Sequence, residues 1–240
     1  VDVWINNAGY SGSYQPLMQA TPEQVAQVVS TNLLGVALCS RAAARLFTAQ
    51  PGGGHLFNMD GAGADGLPTP NYAAYGATKA GIRQLSGSLR AELKGTEAKV
   101  HLLSPGMILT ELLLEGSPRE ARAIPFNILC EHPETVAGFL VPRLRSVVAR
   151  GLGGTYVKYL TPASAMWRLL TAPARIGRFF DSAGNRVYLD EAERIHGRGA
   201  RATQRSVAAA RAQNTGLQFA YSLSLALAVA VMVLEANVMA

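Results

Sequence analysis

Charge is scarce in this chain and cysteine scarcer. Only 16% of its 240 residues are charged while 49% are apolar, a balance that excludes a disordered chain and favours burial or membrane contact. Cys39 and Cys130 stand far apart, which excludes a disulfide framework and a cysteine metal site. His55, His101 and His132 show no metal-ligand spacing; they are expected to be structural or exposed, and no metal site is expected. Lysine is nearly absent as well, at four residues, so the net charge of +6 comes from arginine and is unevenly spread. Between Arg143 and Arg211 twelve arginines face only Asp181, Asp190, Glu191 and Glu193. That basic region has no aromatic interleaving and no nucleic-acid motif, so nucleic acid is not the expected partner; an anionic membrane surface or a solvated face is. The start lacks the charged region of a signal peptide: Val1-Asp2-Val3-Trp4-Ile5 reads as a buried strand, and the chain is expected to begin in mid-fold.

Against these absences stands Tyr75-Gly76-Ala77-Thr78-Lys79, which opens an apolar segment (Ala80, Ile82, Leu85, Leu89, Leu93) of helical period. Residues four apart share a helix face, so the ammonium of Lys79 is expected beside the phenol of Tyr75. A nearby positive charge lowers a tyrosine pKa from about 10, which would make Tyr75 a usable proton donor or acceptor for an alcohol and carbonyl pair. With eight tyrosines and four lysines in the chain, chance alone would give roughly 0.1 such pairs, so the flanking segments must decide.

The first strand runs into Asn6-Asn7-Ala8-Gly9, where glycine lets the backbone turn close to a ligand at a strand's carboxyl end. A helix is expected from Thr21-Pro22-Glu23, with Thr21 as N-cap and Val25, Val28, Val29, Leu33, Val36 and Leu38 as its apolar face. Asn32 falls inside that helix, either as a core amide with its partners or as part of a proton relay; left unpaired it would cost on the order of 1–3 kcal/mol. Gly52-Gly53-Gly54 breaks the helix, His55–Met59 forms a strand ending in Asp60-Gly61-Ala62-Gly63, a helix begins at Tyr75, and Val100–Leu103 is a third strand closed by Ser104-Pro105-Gly106. Strands alternating with helices predict an α/β fold, a Rossmann-like doubly wound parallel sheet whose ligands lie at the carboxyl ends of the strands.

Asn6-Asn7-Ala8-Gly9, Asn32, Tyr75-x-x-x-Lys79 and Pro105-Gly106 with Thr110, in this order and at these separations, resemble the second half of a short-chain dehydrogenase/reductase over residues 1 to about 115. Phe57–Gly63, Ser104–Leu114 and Tyr159-Leu160-Thr161-Pro162 further resemble the plant and algal chlorophyll b reductases, to about residue 190. The resemblance implies roles. Tyr75 would protonate the nascent alkoxide, Lys79 would lower its pKa and hold the nicotinamide ribose, and Asn32 would anchor the water chain that resupplies the proton. Asn6, Ala8 and Gly9, with Tyr75 and Lys79, would line the cofactor, and Pro105, Gly106 and Thr110 would border the nicotinamide. It implies an enzyme in which hydride from NADPH, with NADH not excluded, reduces the 7-formyl group of chlorophyll b or chlorophyllide b. Its expected setting is the stromal face of the chloroplast thylakoid membrane, beside light-harvesting complex and a homologous reductase subunit.

The chain departs from the family pattern twice. A serine about thirteen residues before the tyrosine normally polarises the carbonyl, but here the region reads Gly61-Ala62-Gly63-Ala64; Thr69 stands too close in sequence, and Asp60 would donate only when protonated. The glycine-rich strand-turn-helix for the pyrophosphate, and the residue choosing NAD or NADP, belong upstream of position 4 in the family. The expectation is therefore a fragment or truncated product carrying part of the domain in residues 1–190, with an exposed edge at its first strand. A catalytically impaired partner subunit, or a reductase of another lipophilic carbonyl, are the alternatives. Residues 111–128 are expected to form either an apolar substrate lid or an amphipathic core helix. A helix from His132-Pro133-Glu134 is expected to be interrupted or ended by Pro142, and residues 164–180 to pack on the sheet or to present a basic amphipathic surface to a membrane. Residues 191–216 are rich in Ala and Arg and read as a helical linker. Leu217–Leu234, about 27 Å long as a helix, is expected to insert in a membrane or to be buried at the chain end, with Arg201, Arg205 and Arg211 holding the domain on the stromal side if it inserts.

Overall fold

The computed structural model describes residues 1–115, 117–189 and 194. The expected linker 191–216, apart from Arg194, and the apolar segment 217–234 lie outside the described residues. The chain divides into two units, one from the described residues of 1–116 and 131–160, the other from those of 117–130 and from 161 onward.

In the first unit four parallel strands, β1 (Val3–Asn6), β2 (Gly54–Met59), β3 (Ala98–Ser104) and β4 (Tyr156–Lys158), lie in the order β1-β2-β3-β4. The alternation of β2 and β3 sends Leu56, Val100 and Leu102 to one face and Phe57 and Leu103 to the other. Both faces are apolar, as strands covered on two sides require. Helices α1 (Pro22–Val29), α2 (Gly35–Ala49) and α3 (Ala73–Glu92) belong to the first face, where Ala43, Phe47 and Ile82 are buried. Helix α7 (Pro133–Ala149) covers the second through Val136, Leu140, Leu144 and Val147. The doubly wound parallel sheet is therefore present. β1 stands at one end of it, and Ile5 is 45% exposed.

Thr21 caps α1 in a full capping box with Gln24, and Pro22 occupies the first turn. Between α1 and α2 the helix widens into a π turn over Ser30–Leu34. The extra residue shifts the phase of the apolar stripe beyond it, so the buried row runs Val28, Asn32, Val36, Ser40, Ala43 and Phe47 and Leu38 turns outward; Val29, before the turn, is exposed as well. This corrects the expected stripe. By length and composition alone, Pro22–Ala49 is the one helix among the described residues that would cross a membrane, and it is also a helix with a buried row against the sheet.

One other expectation fails. Pro142 does not end α7, which runs on to Ala149. Gly138, whose carbonyl loses its donor, and Pro142 itself are both exposed, so water can satisfy the orphaned acceptor. β4, three residues long, had no strand signal of its own in the sequence. Helix α4 (Glu111–Leu114) is a single turn with Leu114 buried and Leu112 exposed.

In the second unit α5 (Arg119–Ala121), a π turn over Arg122–Phe126 and α6 (Asn127–Leu129) take the place of one lid or core helix. Asn127 ties the unit together, accepting from Phe179 N and Phe180 N and donating to Phe180 O. Helix α8 (Pro162–Leu170) buries no residue, and it exposes Met166, Trp167 and Leu170; α9 (Ala172–Arg175) follows. Arg168 and Arg175 turn inward to the carbonyls of Leu129 and Ile128, so these two cations do not make the expected basic face.

Candidate active site

Asn71, with φ 65°, turns the chain into α3, so Tyr75 and Lys79 lie on its first two turns. Lys79 is 4% exposed, donates to Met59 O at 3.2 Å, and holds its ammonium 5.4 Å from the Tyr75 ring centroid. The two side chains meet at Gly61, the residue after Asp60 at the end of β2. A Cβ at Gly61 would run into the Tyr75 hydroxyl and lie 3.2 Å from Lys79 Cε. Glycine there is thus a condition of the phenol's position. Gly63, with φ 88°, brings the same loop against α3, where a Cβ would stand 2.6 Å from Gly76 Cα.

Gly9 comes to this point from β1. A Cβ on it would lie 3.5 Å from Asn32 Oδ1 and 4.0 Å from Lys79 Nζ. Asn32 is fully buried and fully employed: Oδ1 accepts from Tyr10 N at 2.8 Å, and Nδ2 donates to Tyr10 O at 2.7 Å and Thr78 Oγ1 at 3.2 Å. Its side chain therefore fixes the turn after Gly9 against α3. Ala8 is exposed beside it, whereas the Asn6 side chain points into the interior, bonded to Trp4 Nε1, Ser40 and Asn58. Asn6 thus lines the turn only through its backbone. From β3, Pro105 and Gly106 lead to Thr110; Gly106 has φ 72° and packs closely on Leu160, and Thr110 N donates to Ile108 O at 2.8 Å. Thr69 Oγ1 donates to Tyr72 O, so that hydroxyl is occupied at the start of α3.

The electrostatics correct one expectation. Tyr75 is pushed up to about 12, first by burial, then by the negative charge of Asp60 and by Tyr72. Burial also lowers Lys79, against which Asp60 acts. Spacing on the helix placed the ammonium correctly, but Lys79 gives one hydrogen bond to a carbonyl and none to the phenol. With its proton held above neutral pH, Tyr75 has a proton to give.

Tyr156 is the part that motif spacing missed, and it meets Asp60. Asp60 is 4% exposed; Tyr156 Oη donates to its Oδ2, and Oδ1 is buried without a hydrogen-bond partner. Burial raises the Asp60 pKa. The guanidinium of Arg83 and the ammonium of Lys158 lie 5.9 Å and 4.2 Å from the Tyr156 ring centroid. A shallow, open cleft lies beside Tyr75, lined among others by Ser11, Gln15, Val28 and Tyr72. The cradle suits a ribose and nicotinamide: Lys79 has two further N–H donors beyond the one given to Met59 O. Among the described residues no group of His, Cys, Asp and Glu is placed to hold a metal.

A sequence profile of the short chain dehydrogenases matches residues 1–121. A probable chloroplastic chlorophyll(ide) b reductase of Arabidopsis thaliana is 48% identical over 195 residues, 81% of this chain and 38% of that protein. A second chloroplastic chlorophyll(ide) b reductase of the same plant, NOL, is 45% identical over 179 residues, 72% of this chain and 51% of that protein. The chain thus spans about half or less of these curated relatives. Among solved structures, a 3-ketoacyl-(acyl-carrier-protein) reductase from Brucella melitensis complexed with NADH is similar at 26% identity and TM-score 0.56, over 66% of each chain.

Proposed function

The chain belongs to the short-chain dehydrogenases, and on that premise we propose that it takes part in NADPH-dependent reduction of the 7-formyl group of chlorophyll b or chlorophyllide b to a hydroxymethyl group. The observation that carries this is the meeting of a buried, proton-bearing Tyr75 with Lys79 at Gly61, in a chain 45–48% identical to two chlorophyll(ide) b reductases. Bound NADPH supplies hydride. Tyr75 gives its proton to the alkoxide oxygen, which is the stronger base, and general acid catalysis of this kind contributes typically about 10²–10⁴-fold. Lys79 would hold the ribose with the donors it does not give to Met59, and Gly9 would let the ring come close. Asn32 acts by holding the turn after Gly9 in place. Pro105, Gly106 and Thr110 would border the nicotinamide from β3. The chloroplastic relatives support a setting in the chloroplast; the stromal face of the thylakoid, beside light-harvesting complex, suits so apolar a substrate.

The test is direct: the full chain with NADPH and chlorophyllide b, read by loss of the formyl absorbance. Reduction that vanishes in Tyr75→Phe is the expected result. Reduction unchanged in that variant would refute the chemistry. A second possibility is a partner subunit that binds a complete reductase, favoured by the missing hydroxyl across Gly61–Ala64. It predicts no turnover by the chain alone but increased turnover by a complete chlorophyll(ide) b reductase when the chain is added.

A further inference from the structure

We propose that Asp60 is a positioning residue of this site: held by Tyr156 at the carboxyl end of the sheet, its carboxylate holds the Tyr75–Lys79 pair as phenol and ammonium, where Gly61 leaves no room for a side chain. This rests on the reduction proposed above and assigns it the residue that keeps the acid loaded.

The polar side chain beside Gly61 is Asp60, just past the end of β2. Any side chain at Gly61 would collide with the Tyr75 hydroxyl, so a serine cannot stand beside the phenol in this arrangement. Asp60 precedes it, is 4% exposed, and has one oxygen tied to Tyr156 and the other buried without a partner. A carboxylate oxygen that no hydrogen bond screens acts at longer range in a poorly polarisable interior. The groups facing Asp60 are Tyr156 and Lys158 from β4, Ser104 from β3, and Lys79 and Tyr75 from α3. Tyr75 in turn is faced by Asp60 from β2, by Tyr72 at the start of α3 and by Lys79 one turn on. Among these Asp60 is the only carboxylate. In its ionised form it favours the proton on Tyr75 and the proton on Lys79 alike. A reductase needs both, because the phenol must still carry its proton when the alkoxide forms. Tyr156 fixes the carboxylate from a strand 96 residues away in sequence, so the clamp exists only in the folded sheet.

Stopped-flow pH jumps, read before unfolding, would measure phenolate absorbance for the full chain and its Tyr75→Phe form; their difference isolates Tyr75. Repeated in Asp60→Asn, the Tyr75 midpoint should fall by about one pH unit. The basic limb of kcat/KM for aldehyde reduction should move down with it, a shift that a purely structural role would not produce. An unmoved midpoint in folded Asp60→Asn overturns the assignment, even if the chain is an active reductase. A chain without any reductase activity would instead defeat the proposed function and leave the phenol titration standing. Should Asp60→Asn fail to fold, Tyr156→Phe carries the test. It keeps the carboxylate but removes a hydrogen bond that favours its charge, so the acid limb of kcat/KM should move to higher pH; an unmoved limb overturns the proposal.

Discussion

Two buried polar clusters lie two residues apart on the same face of β2, and they are built on opposite principles. Around Asn58 every group is neutral and paired: Oδ1 accepts from Asn6 Nδ2 at 2.8 Å and Ser40 Oγ at 3.3 Å, Nδ2 donates to Ser86 Oγ at 2.9 Å, and Ser86 passes its own proton to Ile82 O. Around Asp60 the groups titrate, one oxygen has no partner, and burial moves Asp60, Tyr75 and Lys79 away from their ordinary proton affinities. A closed neutral network joins β1, α2, β2 and α3 and can do no proton chemistry. An open charged one is less favourable for stability and is where protons can be held or released.

Breaking each cluster should therefore be felt in a different measurement. The largest effect belongs to Tyr75→Phe, which removes only the acid. Reduction should fall by about 10²–10⁴-fold, while the thermal midpoint stays near that of the parent chain, because the Tyr75 hydroxyl makes no hydrogen bond that the sheet depends on. Loss of stability alongside loss of turnover would mean that the charged cluster is structural after all. Next comes Asn58→Leu, which takes the acceptor from one N–H of Asn6 and from the Ser40 hydroxyl, and the donor from Ser86 Oγ. Each unsatisfied group costs about 1–3 kcal/mol, so urea unfolding should show a loss on the order of 3 kcal/mol. The pH dependence of turnover should not change.

The same contrast explains what could be read from the sequence. Thr21-Pro22 announced a helix start, the glycines at 52–54 its end, and Tyr75 with Lys79 a shared face, because all three are local patterns with local causes. The turning outward of Leu38 was hidden because a π turn changes the phase of the helix after Ser30. The fate of Pro142 was hidden because its tolerance depends on which side of α7 faces water. The sign of the Tyr75 shift was hidden for a deeper reason. Spacing shows that a lysine is near, but burial and a carboxylate from another strand decide the proton affinity, and neither is a property of the helix. Tyr156 was hidden by its sequence distance from Asp60.

The opposite face of β2 gives a smaller version of the comparison. His55 Nδ1 lies 3.0 Å from His101 Nε2, and His101 Nδ1 lies 2.6 Å from Thr155 Oγ1. Burial, His55 and Arg90 bring His101 down to about 4. A folded value below the unfolded one of about 6.5 means that the unfolded chain takes up the proton first. The stability this group contributes is whole above about pH 6.5 and is lost as pH falls toward 4. Urea midpoints at pH 7.5, 5.5 and 4.5 should decline along that window in the parent chain and less steeply in His101→Gln; parallel declines would remove His101 from the account. His55, also lowered by burial, would supply what slope remains.

The smallest expected effect separates the two ends of α3. Its first turns carry Tyr75 and Lys79, where Gly76 has Thr69 packed against it and cannot be enlarged. Gly87, three turns further on, is exposed, and a Cβ there meets nothing within 4 Å. Glycine in a helix interior is less stable than alanine by roughly 0.5–1 kcal/mol, so Gly87→Ala should raise stability by about that amount. Because the far end of the helix touches neither Gly61 nor Asp60, the turnover and its pH limbs should match those of the parent chain. A change in turnover from so remote a methyl group would show that the position of Tyr75 depends on the whole length of α3, and not on the contacts of Gly61, Gly63 and Gly76 at its start.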